Sequence, residues 1–411
     1  MAKLSRLQVW GRSWRRAGVA IGLVMCRLDG RLGGDHVRES DVMAAAPFLL
    51  VASAVLAQAP PVLVVRGSYA AKAGSPEAES AGAFFDTVAE ALELAGVEFG
   101  KISDEDVATG KLTGAKVVVF PYTPVWAPGE AEATVAFVKS GGKALVFYTM
   151  PAELGAALGM DPGPYTKAEG QASFHEARLV EGALDILGLP TSFVNGSWNI
   201  HAGKPMRDDC RVLYQWFDPE GKDTGQAALL LSDSGAYMTH VLSRTDLKAK
   251  VRLLLALVAH FIPDLWPQTA QRALGQAWQF DDFASLQELE RIAERARALG
   301  HANDPEPLLA RARDIWDQMH RAVQEERYPE VLDLLGDLRA AASEAYARCQ
   351  PSKRAEMRAV WIHTAFGVGK WGWERSIRHL KECGFNAILP NMLWGGVAYY
   401  NSDVLPVAPE V

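Results

Sequence analysis

Residues 116–148 read KVVVFPYTPVWAPGEAEATVAFVKSGGKALVFY. Two strand-like runs, Lys116–Phe120 and Lys143–Tyr148, flank a helical segment, Pro128–Ser140. A run such as VVVF lacks the polar alternation of a half-exposed strand and belongs to parallel strands covered on both faces. The stretch therefore predicts one repeat of a layered α/β sheet.

The neighbouring sequence repeats the pattern. Val62–Val65 reads as a strand. Glu77–Ala95 reads as an amphipathic helix, with Phe84, Phe85, Val88, Leu92 and Leu94 on its buried face and Gly96 closing it. Val97–Ile102 returns to a strand. Downstream, Ala227–Leu231 and Ala236–Ser243 pair across the turn Ser232-Asp233-Ser234-Gly235, and Asp246–Phe261 forms a last helix ended by Pro263. An open, doubly wound α/β domain is predicted over residues 60–266. This layout resembles the class I glutamine amidotransferase-like domains, including the flavodoxin-like modules found beside glycosidase barrels. In catalytic members of that family a cysteine stands on a tight elbow right after a strand, where the helix N-terminus lowers its pKa. Here Ala144–Tyr148 runs into Thr149-Met150-Pro151, with neither cysteine nor serine. The resemblance implies the fold and argues against the chemistry. Thr149 is the one hydroxyl on offer as a nucleophile, with no base in view.

Within 174–263, His175, Glu176, His201, Asp208 and Asp209 fit no metal-ligand spacing and read as surface or turn residues. Trp198, Asn199 and His201 in GSWNIHAG could line a sugar cleft, an indole stacking on a pyranose; a packed core tryptophan is the favoured reading of Trp198.

Residues 280–350 are rich in Ala, Arg, Glu and Leu and lose all strand signal. Three helices are predicted, capped by Asp281 or Asp282, started by Asp304-Pro305 and started by Pro329, each with one apolar stripe. They make a helical linker.

The last segment, 356–411, begins EMRAVWIHT and continues through CGFNAILPNMLWGG to YYNSDVLP. It reads as strand, helix with Ile377, Leu380 and Cys383 inside, Gly384 at its end, and a second parallel strand. These motifs resemble the opening of the glycosyl hydrolase-like family 10 barrel. The resemblance implies an incomplete TIM barrel of which this is the first βαβ unit, in a protein acting on a polysaccharide or cell-wall glycan. Barrel sites lie at the C-terminal strand ends, which makes His363, Asn391, Trp394, Tyr399 and Tyr400 the candidate sugar-binding residues. Glycoside hydrolysis needs two carboxyl groups. None is assigned here, because such barrels supply them from later strands, and the chain as given is expected to be inactive. The alternatives are a non-catalytic carbohydrate-binding or scaffold protein, and an amidase working from Thr149.

The net charge of −7 excludes general nucleic-acid binding. Four separated cysteines, Cys26, Cys210, Cys349 and Cys383, imply neither zinc nor a disulfide framework, and no cofactor motif is present. Residues 1–59 read as an overlong start plus an export signal over 43–57, cleaved after Ala57. The expectation is an exported bacterial protein without stable membrane insertion, with homo-oligomerisation left open.

Overall fold

The structure, a computed structural model, describes residues 60–168, 174–280, 282–300, 304–351, 355–369 and 371–411. The export signal expected over 43–57 lies outside the described residues.

Nine strands make one sheet: β1 (Val62–Arg66), β2 (Gly100–Ser103), β3 (Val117–Phe120), β4 (Lys143–Phe147), β5 (Phe174–Leu179), β6 (Ser192–Ser197), β7 (Arg211–Phe217), β8 (Asp223–Ser232) and β9 (Gly235–Met238). Their order is β2-β1-β3-β4-β9-β8-β7-β5-β6. The first five run parallel and the last four strands continue antiparallel from β9. The parallel part has the flavodoxin-like order, with a fifth strand contributed from the far end of the domain.

Both faces of the parallel strands are covered. Val62, Val64, Val117, Val119, Leu145 and Phe147 join a core with Phe85, Val88 and Leu92 of the helix Ala78–Leu94 and with the apolar face of Leu247–Phe261. Leu63, Val65, Val118, Phe120, Ala144 and Val146 face the other way, onto Val107, Val138, Leu154 and Leu158 from the helices Asp104–Ala108, Glu130–Lys139 and Ala152–Leu158. Alternate residues of one apolar run thus feed two cores, each large side chain contributing about 1.5–3 kcal/mol. The protein is a doubly wound α/β fold.

Details differ from the sequence expectation. The second strand begins at Gly100, not Val97, and β9 ends at Met238 rather than Ser243. Thr239 draws the chain out of the sheet: its hydroxyl donates to the Ala227 carbonyl at 2.8 Å and accepts from Trp216 Nε1 at 2.9 Å. Gly235 is required at the β8–β9 turn, since any Cβ there would collide with the Ala144 carbonyl of the neighbouring strand.

Four helices follow, Leu265–Gln276, Leu286–Ala298, Glu306–Gln324 and Tyr328–Cys349, sharing a core of Leu289, Leu309, Met319, Val331 and Leu338. The first was not read from the sequence. Ser285, not Asp281 or Asp282, caps the second, accepting from Glu288 N at 3.1 Å. Arg252 ties this bundle to the sheet through the Pro329 carbonyl (2.7 Å) and Asp333 (3.0 Å).

At the C-terminus β10 (Ala359–Ile362) and β11 (Ala387–Pro390) pair in parallel across the helix Gly372–Glu382, with Gly384 left-handed at the helix end. This unit leaves apolar surface open: Trp361, Ile377 and Leu389 are exposed. Cys383, expected inside, is also exposed, because its helix fully buries only Ser376. Among the described residues no helix is long and apolar enough to cross a membrane.

Candidate functional site

Sites in open α/β sheets form beyond the carboxyl ends of the strands, near the point where strand order reverses, here between β1 and β3. A surface cavity of about 610 Å³ lies at the opposite end of the strands between Leu112, Lys116, Phe137, Lys143 and Phe261. It gathers no chemically complementary groups, so the carboxyl end is the better place to look.

Directly after β4, Tyr148 adopts the left-handed conformation, φ 67°. A non-glycine residue held there carries strain of order 1 kcal/mol or more. The turn is fixed from three sides: Tyr148 N donates to the Met238 carbonyl (2.9 Å), Thr149 N to the Phe147 carbonyl (3.0 Å), and the Tyr237 hydroxyl to the Tyr148 carbonyl (2.7 Å). The elbow is therefore present, and a phenol occupies it. Burial pushes that phenol up to about 12, so it stays protonated at neutral pH. Thr149 donates its hydroxyl proton to the Thr123 carbonyl at 2.6 Å and has no base beside it.

Around the Tyr148 ring stand His240 (4.9 Å between centroids), His201 (5.0 Å) and Tyr122 (5.7 Å). His240 lies just past β9, and Tyr122 just past β3, where its hydroxyl donates to Glu77 at 2.7 Å. His201 comes from a two-stranded ribbon, Tyr165–Lys167 against Asn199–His201, in which Tyr165 opposes His201 and Lys167 opposes Asn199. Cross-strand partners share a face, and here that face meets Tyr148: its hydroxyl donates to Asn199 Oδ1 at 2.6 Å. Burial pulls His240 down to about 4, keeping it neutral.

The residues singled out from sequence fall as follows. His201 lies in the ribbon against Tyr148, not in a surface turn. Trp198, expected in a core, is 52 % exposed, with Lys167 over its ring. Asp209 pairs with Arg207 and Glu176 with Arg178. Among the described residues no three His, Cys, Asp or Glu side chains gather as metal ligands. Tyr122, Tyr148 and His240 were missed, although each sits within two residues after a strand of the predicted α/β repeat.

A second polar feature at this end is a buried carboxyl pair. Asp104 Oδ2 accepts from Tyr69 N (2.6 Å) and Glu130 Oε2 from Ala127 N (2.7 Å). The remaining oxygens, Asp104 Oδ1 and Glu130 Oε1, are buried with no hydrogen-bond donor among the described residues, and each carboxyl feels the other's charge. Such a pair holds one proton between them; desolvation is the main cause raising both pKa values.

In the C-terminal unit, His363 follows β10 and meets Trp394, from the hairpin after β11, edge-to-face at 6.4 Å; Trp361 stacks on His363 at 6.1 Å. Tyr399 packs on Phe366 at 5.5 Å, Asn391 donates its backbone N–H to the Ile362 carbonyl at 2.7 Å, and Tyr400 is exposed. Glu374 is paired with Arg378 on the helix surface.

These features define an α/β protein whose elbow carries Tyr148. No protein-family model matches the chain, and no curated protein matches it. Among solved structures it is similar to a ThuA-like protein from Bacteroides uniformis ATCC 8492, at 17 % identity and TM-score 0.34, over 50 % of this chain and 93 % of that one. It is also similar to the GH42 β-galactosidase Gan42B, at 12 % identity and TM-score 0.37, over 50 % of this chain and 30 % of that one. A glutamine amidotransferase from Thermotoga maritima matches at 11 % identity and TM-score 0.28, over 68 % of this chain and 97 % of that one. These scores are low, and the fold assignment rests on the strand order above.

Proposed function

We propose that the chain belongs to an exported, glycoside hydrolase-like protein that handles a polysaccharide or cell-wall glycan, and that its C-terminal unit binds sugar. The observation that carries this reading is the meeting of His363 and Trp394, brought together from two different strand ends where barrel sites assemble. An exposed indole offers a face for a pyranose and the imidazole a hydrogen bond to a hydroxyl. Asn391, Tyr399 and Tyr400 extend the same surface in this reading, and the export signal read from the sequence over 43–57 supports a place outside the cytoplasm.

Isothermal titration with a panel of cell-wall and plant oligosaccharides tests it. Trp394→Ala or His363→Ala is expected to weaken binding about tenfold, the equivalent of about 1.4 kcal/mol. Binding indifferent to both substitutions, or no oligosaccharide bound, would sink the reading. A second reading, a non-catalytic carbohydrate-binding or scaffold protein, draws support from the elbow, where Tyr148 stands in place of a cysteine or serine and its hydroxyl is already donated to Asn199 Oδ1.

A further inference from the structure

We infer that Tyr148, Asn199, His201 and His240 form a separate saccharide site in the α/β domain, one that grips two adjacent hydroxyls of a neutral pyranose. This goes beyond the C-terminal surface proposed above and uses none of its residues.

The first observation is Asn199. Its side chain is only 5 % exposed, and its Oδ1 is committed to the Tyr148 hydroxyl. Its Nδ2 has no hydrogen-bond partner among the described residues. A largely buried amide with two unused N–H donors is costly unless water or a ligand takes them.

The second observation is the pair of imidazoles. His201 Nδ1 lies 3.2 Å from the Gly163 carbonyl, an acceptor, which places the proton on Nδ1 and leaves a lone pair on Nε2. His240 Nδ1 lies 3.2 Å from the Val241 carbonyl, an acceptor, 3.3 Å from Asn195 Nδ2, a donor, and 3.0 Å from Ser197 Oγ, which can be either, so its partners admit both tautomers. Neither Nε2 has a hydrogen-bond partner among the described residues. The Tyr148 ring thus has beside it one imidazole acceptor, one imidazole able to donate or accept, and one amide donor.

A vicinal diol is the complement of this set: one hydroxyl can donate to His201, the other can donate to or accept from His240, and an oxygen lone pair can accept from the amide. Tyr148, Asn199 and the buried His240 are neutral at neutral pH, which suits the hydroxyls of an uncharged ligand. Tyr165, edge-on to His201 at 6.2 Å and about half exposed, offers an apolar face that a pyranose stacks on. Strain at Tyr148 is in keeping with a position held for a ligand rather than for packing alone.

The test uses the full chain with methyl pyranosides and their deoxy analogues, followed by titration calorimetry and by the imidazole resonances in NMR. Asn199→Asp keeps the shape and the Tyr148 contact while removing the donors; His201→Phe keeps the ring packing while removing the acceptor. Each is expected to weaken binding at least tenfold. The deoxy analogues should lose as much, and ligand should shift the His201 and His240 resonances. Trp394→Ala is measured in parallel. A loss confined to Trp394→Ala, with folded Asn199→Asp and His201→Phe binding normally, overturns this inference and leaves the C-terminal reading standing. Unshifted imidazole resonances at saturating pyranoside overturn it as well. Conversely, loss in Asn199→Asp and His201→Phe supports it even if the C-terminal surface binds nothing.

Discussion

Glu130→Gln is expected to abolish a fall in stability with rising pH that the wild-type chain shows from about pH 4.5 upward. Unfolded, Glu130 loses its proton near its ordinary value of 4.5, whereas in the fold desolvation and the facing Asp104 hold the proton far above that. Between those two values the folded state binds one more proton than the unfolded state, so stability declines by about 1.4 kcal/mol per pH unit. The contribution is complete below pH 4.5 and is lost as pH rises through the folded pKa. Glutamine removes the uptake: its carbonyl can still accept from Ala127 N, and its amide can donate permanently to Asp104 Oδ1. Urea denaturation at pH 5.5 and 7.5 should show the variant gaining about 2–3 kcal/mol on the wild type between them. The difference between the proteins is the quantity to read. Buried His240 and Lys250, pulled down to about 4 and about 7, add slopes of opposite sign over their own windows in both proteins. A difference that stays constant with pH would mean that no proton is shared.

That pair could not have been read from the sequence. Asp104 and Glu130 are 26 positions apart, each at the start of a helix, where an acidic residue is ordinarily explained by the dipole. Their meeting depends on β1, β2 and β3 being neighbours. The sheet itself was legible, because VVVF and KALVF leave no other way to bury every residue, and the hairpin turn at 232–235 announces itself. The antiparallel strands β5, β6 and β7 carry mixed burial and gave no clear period. The site was half legible. GSWNIHAG held Asn199 and His201 but misplaced Trp198, since a tryptophan's burial depends on neighbours the local sequence does not name. The elbow was sought at Thr149 because a hydroxyl was expected. The backbone places it one residue earlier, at a tyrosine whose φ no local pattern reveals.

Removing the Lys250 ammonium should loosen both the fold and the inferred diol site, because one hydrogen-bonded chain joins them. Lys250 is 1 % exposed, and its Nζ donates to the Ser243 carbonyl (2.8 Å), Ser243 Oγ (2.9 Å) and the Thr245 carbonyl (2.7 Å). Ser243 in turn donates through Oγ to the Asn195 carbonyl and through N to Asn195 Oδ1, and Asn195 Nδ2 donates to Ser197 Oγ and the Val241 carbonyl beside His240. Lys250→Met preserves the aliphatic stem but strands three acceptors in a partly buried loop. The expected cost is about 2–3 kcal/mol, below a full penalty for each because water reaches part of the loop. Lys250→Ala should cost about 2 kcal/mol more through the cavity it leaves. The pH dependence has a sign. Burial lowers the folded pKa to about 7 from 10.5, so lysine's contribution grows as pH rises from 7 to 10.5, and the cost of Lys250→Met should grow with it. Denaturant melts at pH 6.5 and 9 check this, and a cost that shrinks on going to pH 9 would contradict it. The same variant should raise the His240 pKa, since the Lys250 charge is one of the causes depressing it, and NMR titration of the imidazole reads that directly. An unmoved His240 alongside a large loss of stability would show Lys250 bracing the helix start alone, with no reach into the cluster around Tyr148.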